Sequence, residues 1–286
     1  MGLFSRLKQR NSLTRNDLRV MNSVKLVRDT LQQPAAAVSL KKLADSGSSG
    51  VSLSKAVQVA GVSLRKRNLV GIRGKAVLVL DHSGSMEQLY KQGVVQRLVE
   101  RALAFGLQVD VDGEVLVLPF DTRVRGSVRV NVDNYRNVVN KHIWAPRDMG
   151  LTRLDLAINE VNKLAAASTQ PIFAIVITDG NPYEPGVDAE CLATRSICES
   201  SQYPVFVKFL AVEEVQYLID LDEDDSLPRL LDNVNTQFFS GRRGEGNHRP
   251  QVTSSECTDE VFIDAMLEEL DLWIGRAQHT NPPILV

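Results

Sequence analysis

Four nearly unbroken apolar runs constrain this chain more than any other feature. They are "KAVLVLD" at Lys75–Asp81, "GEVLVLPF" at Gly113–Phe120, "PIFAIVITDG" at Pro171–Gly180 and "PVFVKFLAV" at Pro204–Val212. A strand with one wet face alternates apolar and polar residues. A strand apolar on both faces belongs to a parallel sheet covered on both sides. Between these runs lie segments of helical periodicity: "VVQRLVERALAFGLQV", "VDNYRNVVNKHI", "TRLDLAINEVNKLAAA", "AECLATRSICESS" and "DEVFIDAMLEELDLWIGRA". The third of them opens at a threonine that fits an N-cap region. "RVRGSVRV" alternates charged and apolar residues, as an edge strand or hairpin does. Strands alternating with helices predict an α/β fold, a doubly wound, mostly parallel sheet with helices on both faces.

At 286 residues, 43% hydrophobic and 24% charged, the chain can bury a sizeable core without disulfides or structural metal. Its three cysteines, Cys191, Cys198 and Cys257, are too few and too irregular for a zinc site or disulfide framework. Reduced thiols and a cytoplasmic setting are expected. No apolar run approaches the roughly 20 residues of a membrane span, and "MGLFSRLKQR" lacks the apolar core of a secretory signal.

Charge is unevenly spread. Residues 1–75 carry 15 Lys and Arg against 3 Asp, a net of +12, and the rest of the chain carries −14. The basic leader, residues 1–45 above all, is a candidate contact for nucleic acid or an anionic surface, or it packs on the acidic body. Within it "LRVMNSVKLVRDTL" suggests a helix ended by Pro34, and "ADSGSSG" suggests a linker. "GVSLSK" at Gly50–Lys55 recurs as "GVSLRK" at Gly61–Lys66, and its Val-Leu alternation predicts two short strands or extended arms. The expected division is therefore an extension over 1–49, a repeat leader over 50–74 and one domain over 75–286.

In doubly wound sheets ligands bind beyond the carboxyl ends of the strands. Asp81 ends the first run and Asp179 follows the third, so both carboxylates belong to one edge. Ser83 and Ser85 follow at alternate positions. Carboxylates with hydroxyls form a hard, all-oxygen set suited to Mg²⁺, Mn²⁺ or Ca²⁺ rather than zinc. Neutral hydroxyls hold an ion without cancelling its charge. The competing reading makes these residues helix caps and strand-end carboxylates. A nucleophilic Ser83 would need the Gly-x-Ser-x-Gly elbow, whose first glycine is replaced here by Asp81. The acidic run "IDLDEDDS" lacks the glycine and glutamate of a calcium loop and is expected to be solvated.

"DHSGS" resembles the DxSxS motif of von Willebrand factor A (vWA) domains. In that family it opens a metal-ion-dependent adhesion site, completed by a threonine in a glycine-containing loop and an aspartate in "TDG". The resemblance nominates Thr152 in "MGLTRLDLAI", where Gly150-Leu151-Thr152 stands for the usual Gly-Gly-Thr, and Asp179. The paired "VSLxK" leader, "NYRNVV", "LPRLLDNVNTQFF" and "FIDAMLEELDLWIGRA" are similar to the tellurium (toxic-cation) resistance proteins of TerF type, over Gly50 to the C-terminus. The resemblance implies a vWA/Rossmann-like fold and an ion, Mg²⁺ with Mn²⁺ or Ca²⁺ as alternatives, held by Asp81, Ser83, Ser85, Thr152 and Asp179. It implies a non-enzymatic role, capturing an Asp or Glu carboxylate of a protein partner in a stress-resistance system. The alternatives are a metal-dependent phosphoester or nucleotide hydrolase and an adaptor acting through the basic leader.

Overall fold

The apolar runs form the centre of one six-stranded sheet. The computed structural model describes residues 13–29, 47–241 and 248–286. The strands are β1 (Lys75–Asp81), β2 (Val115–Phe120), β3 (Val128–Val130), β4 (Ile172–Thr178), β5 (Val205–Ala211) and β6 (Val234–Phe238), in spatial order β3-β2-β1-β4-β5-β6. All pair in parallel except β3, a short antiparallel edge strand on β2. The helices are α1 (Gly47–Lys66), α2 (Glu87–Lys91), α3 (Val94–Val109), α4 (Leu154–Ala167), α5 (Ala189–Ser200), α6 (Gln216–Glu223), α7 (Asp259–Leu267) and α8 (Leu270–Gln278). Alternation along β1 sends Ala76, Leu78 and Leu80 into a core with α1, α3, α7 and α8. Val77 and Val79 enter a second core with α4, α5 and α6. The strand order reverses between β1 and β4, which leaves a crevice at their carboxyl ends.

Several local expectations are overturned. The "GVSLxK" repeat is not a pair of strands but part of the single helix α1, and the last four residues of the presumed linker, Gly47–Gly50, form its first turn. Eleven residues make just over three helical turns, so equivalent positions share a face. Leu53 and Leu64 are 1% and 3% exposed, whereas Val51 and Val62 are 49% and 45% exposed. A strand would have put each Val and its Leu on one side.

The predicted helix over "LRVMNSVKLVRDTL" is extended wherever it is described. Leu18, Val24 and Leu26 are buried between exposed neighbours, a period of two. Val24 bridges Leu285 in parallel, and Val24 N donates to Ile284 O at 3.0 Å. Pro34 lies outside the described residues, as does the middle of the basic loop "SGRRGEGNHRPQ". Of the leader's described cations, Lys66 pairs with Glu260 and Lys75 with Asp110.

"VDNYRNVVNKHI" forms turns and one π-helical turn, Val139–Ile143, instead of a helix. Asn131 accepts from Asp133 N and Asn134 accepts from Asn131 N, local bonds that compete with helix formation. The C-terminal helix breaks in two at Glu268–Glu269, where Glu269 adopts φ 65°. Lys208, buried on β5, donates to the Glu268 carbonyl at 3.4 Å and to Asn235. Its ammonium sits at the carbonyl end of α7, where a positive charge is favoured. The acidic run "IDLDEDDS" is largely the end of α6, and Asp222 accepts from Thr236 N at 3.0 Å.

Candidate metal centre at the carboxyl edge of the sheet

β1 pairs with β4 from Lys75↔Ile172 to Leu80↔Ile177, so both strands end at one level. Asp81 closes β1, is fully buried, and has both oxygens engaged. Ser83 N donates to Oδ1 at 2.7 Å and the Thr178 hydroxyl donates to Oδ2 at 2.6 Å. The Ser85 hydroxyl donates to Asp179 Oδ1 at 2.8 Å, and Ser83 Oγ lies 3.0 Å from Ser85 Oγ. The Ser85 proton is used on Asp179, and the Ser83 hydroxyl has Ser85 Oγ and the Asp81 carboxylate as acceptors within reach. Both hydroxyl protons have acceptors, and each oxygen keeps lone pairs.

Capping does not consume these hydroxyls. Ser83 precedes the 3₁₀ turn Gly84–Met86 without a side-chain capping bond. α4 starts at Leu154 with Arg153 in the cap position, so Thr152 is not its cap. That corrects the expected threonine N-cap and releases the Thr152 hydroxyl.

The backbone holds the Thr152 loop beside the serines. Ser83 bridges Gly150, and Gly84 N donates to Gly150 O at 3.0 Å. Leu151 N donates to Thr122 Oγ1 at 3.0 Å, Arg153 N to Asp121 O at 3.0 Å, and Thr152 pairs with Tyr183 through both backbone groups. Gly150 must be glycine because a Cβ there would lie 2.5 Å from Thr122 Oγ1 and 3.0 Å from Asp121 Cγ. Behind the loop, His82 takes a hydrogen bond from Ala145 N on Nε2 at 3.1 Å, which leaves its Nδ1 proton for Asp121 at 3.3 Å. Asp121 is held in turn by Arg125, whose guanidinium also reaches Asp148.

Burial shapes the electrostatics. It pushes the Asp81 carboxyl up to about 7 against the hydrogen bonds from Ser83 and Thr178. Asp179 is also raised, first by burial and further by the charge of Glu213. Neither carboxylate pairs with a cationic side chain among the described residues. Exposure rises from buried Asp81 and Ser83 to half-buried Asp179 and exposed Ser85, so the cluster opens to solvent on the Ser85 side. Its polar atoms, two carboxylates and hydroxyls, are all oxygen, the donor type a hard cation takes. Among the described residues no group of three or more His, Cys, Asp or Glu is placed to hold a metal.

The model of the vWA domain found at the C-terminus of TerF proteins matches residues 73–281. The chain belongs to the vWA-TerF-like family. The chain is 28% identical over 229 residues to the uncharacterized protein YcbR of Bacillus subtilis (strain 168), covering 76% of this chain and 84% of that one. Among solved structures, a von Willebrand factor type A protein from Catenulispora acidiphila matches with a TM-score of 0.42 and 13% identity, over 68% of this chain and 42% of that one. The chain thus spans less than half the length of that structure. An aerotolerance-related membrane protein from Bacteroides fragilis NCTC 9343 matches with a TM-score of 0.34 and 20% identity, over 48% of this chain and 67% of that one.

Of the five nominated residues, Asp81, Ser83, Ser85 and Asp179 form one connected cluster, with Asp81 tied to Ser83 through the backbone. Thr152 is brought alongside through its loop. Sequence reasoning missed Thr178, which stands next to Asp179 in "TDG" but reads as the last residue of a buried strand. It also missed His82, Asp121 and Arg125. Only the Asp121–Arg125 spacing after β2 hints at them, and their tie to the site is tertiary. Asp148 is exposed and pairs with Arg123 and Arg125.

Proposed function

We propose that this vWA-TerF-like domain is a protein-interaction module that recognises its partner through a divalent cation held by Asp81, Ser83, Ser85, Thr152 and Asp179. One observation carries the reading: the Ser83 and Ser85 hydroxyls stand 3.0 Å apart beside Asp179, next to a fully buried Asp81 held by Ser83 N and Thr178. The arrangement fits Mg²⁺, with Mn²⁺ and Ca²⁺ as alternatives, since all ligating atoms are hard oxygens. When bound, the ion supplies a Lewis-acidic open position for an Asp or Glu carboxylate of the partner. The residues themselves orient that position toward solvent on the Ser85 side. Leu151 and Tyr183 flank Thr152 and are 37% and 57% exposed, and apolar and aromatic groups of this kind suit a protein-binding face. The role fits a toxic-cation stress system of the tellurium-resistance type and requires no turnover.

The test is calorimetry with Mg²⁺ and Mn²⁺ on the wild-type chain and on Asp81→Ala, with thermal unfolding to verify the fold. The ion is expected to bind the wild type and not the folded variant, and partner capture is expected to disappear with chelator. Equal capture with and without chelator would overturn the bridging role.

A further inference from the structure

Beside the site, across β5, lies a cavity of about 390 Å³, within the roughly 300–1,000 Å³ range of ligand pockets. Leu89, Val212, Phe239 and Val252 give it an apolar floor, and Glu213 and Glu214 line it, with Glu214 lying 3.7 Å from His248. Its position follows from the sheet. Thr178 pairs with Ala211, Ala211 pairs with Phe238, and Val212 N donates to Thr178 O at 2.9 Å. The residues after β4, β5 and β6 therefore stand in a row: Asp179 in the site, then Val212 and Glu213, then Phe239 at the far wall. Leu89 comes from α2, the helix that directly follows the Ser85 turn. Glu213 is exposed, and among the described residues it makes no ion pair.

We propose that this cavity is a second recognition pocket of the same partner-binding face, taking a basic side chain, arginine or lysine, of the segment whose carboxylate is captured at the site. The proposal rests on the reading above and adds a sequence requirement for the partner. An apolar floor below the Glu213 carboxylate matches a side chain with an aliphatic stem and a cationic head. The Glu213 charge beside an acidic site would repel an acidic neighbour, so the pocket also discriminates against uniformly acidic segments. Strands lie about 4.8 Å apart, so the β1–β4 site and the β5–β6 cavity are about 10 Å apart, two strand spacings. An extended segment advances about 3.3 Å per residue, which places the two partner residues about two to four positions apart.

The experiment uses the full chain and two kinds of probe. Agmatine, a guanidinium on an aliphatic stem, is titrated by NMR without divalent cation. Fluorescent peptides carrying one Asp and one Arg, spaced two, three or four positions apart in a Ser-Ala background, are titrated with Mg²⁺. Matching peptides carry citrulline, which is uncharged, in place of Arg. Agmatine is expected to shift signals of Val212, Phe239 and Val252, and Glu213→Gln is expected to remove the effect. Replacing Arg by citrulline is expected to weaken the best peptide about tenfold, the effect of a charge-assisted hydrogen bond reduced by partial exposure. Glu213→Gln should abolish the difference. Equal affinity for the Arg and citrulline peptides, both dependent on Mg²⁺, would overturn the pocket and leave the metal site standing. Agmatine binding that survives while no peptide depends on Mg²⁺ would support the pocket and sink the metal site. If agmatine binds only after Arg242 and Arg243 are replaced by Ala, the chain fills its own pocket and the proposal falls.

Discussion

At the residue scale, the candidate site depends on groups that hold ligands in place as much as on the ligands. Thr178 donates the 2.6 Å hydrogen bond to a carboxylate with no solvent access. Thr178→Val keeps the shape and removes the donor. It should destabilise the fold by about 1–3 kcal/mol, the penalty for stripping a partner from a buried polar group, measured by urea unfolding. Gly150→Ala should cost about 1–3 kcal/mol, as overpacking does. Calorimetry should show weaker ion binding as well, because the displaced loop carries Thr152. The spelling "DHSGS" and "TDG" disclosed four of the five nominated residues, since strand ends put them at one edge. Thr152 came from resemblance. His82 was invisible because its partners, Asp121 and Ala145, are far away in sequence, and no local pattern marks a histidine that spans two loops.

At the element scale, the buried strands were legible because each apolar run has one meaning in a covered parallel sheet. β6 was not. Its "VNTQF" is buried throughout yet polar at three central positions. Asn235 on that strand is paid for by a second buried polar residue, Lys208, which no window of sequence joins to it. The "VSLxK" repeat was misread because Val-x-Leu satisfies both a strand period and the face of a helix. Leu53→Ala or Leu64→Ala should cost about 2–5 kcal/mol each, whereas Val51→Ser or Val62→Ser should stay within about 0.5 kcal/mol, as exposed substitutions do. Thermal denaturation separates helix from strand on this contrast. Lys208 gives a pH signature. Burial lowers its pKa to about 7 from an ordinary value of 10.5, so between those values the folded chain binds fewer protons than the unfolded one. Stability should rise with pH across that window and stay flat with respect to this group below it. Unfolding free energies measured from pH 6 to 10 should show the rise in the wild type relative to Lys208→Met.

At the whole-molecule scale, the extended segment and the last residues of the chain meet at the amino edge of the sheet. Met21 N donates to Gln202 O before β5, the Asn22 amide donates to Ser168 O before β4, and Val286 N donates to Val24 O. Val24→Asp should destabilise the chain by about 2–4 kcal/mol, as an unpaired buried charge does. It should also speed hydrogen exchange at Ile284 and Leu285 while the Mg²⁺ affinity of the folded fraction is kept. A seven-residue strand is about 23 Å long, and that length separates this seam from Ser85 and Asp179. Val286 thus lies at one pole of the sheet and the oxygen cluster at the other. A probe fixed at the seam stays clear of the crown where Ser85 and Asp179 stand.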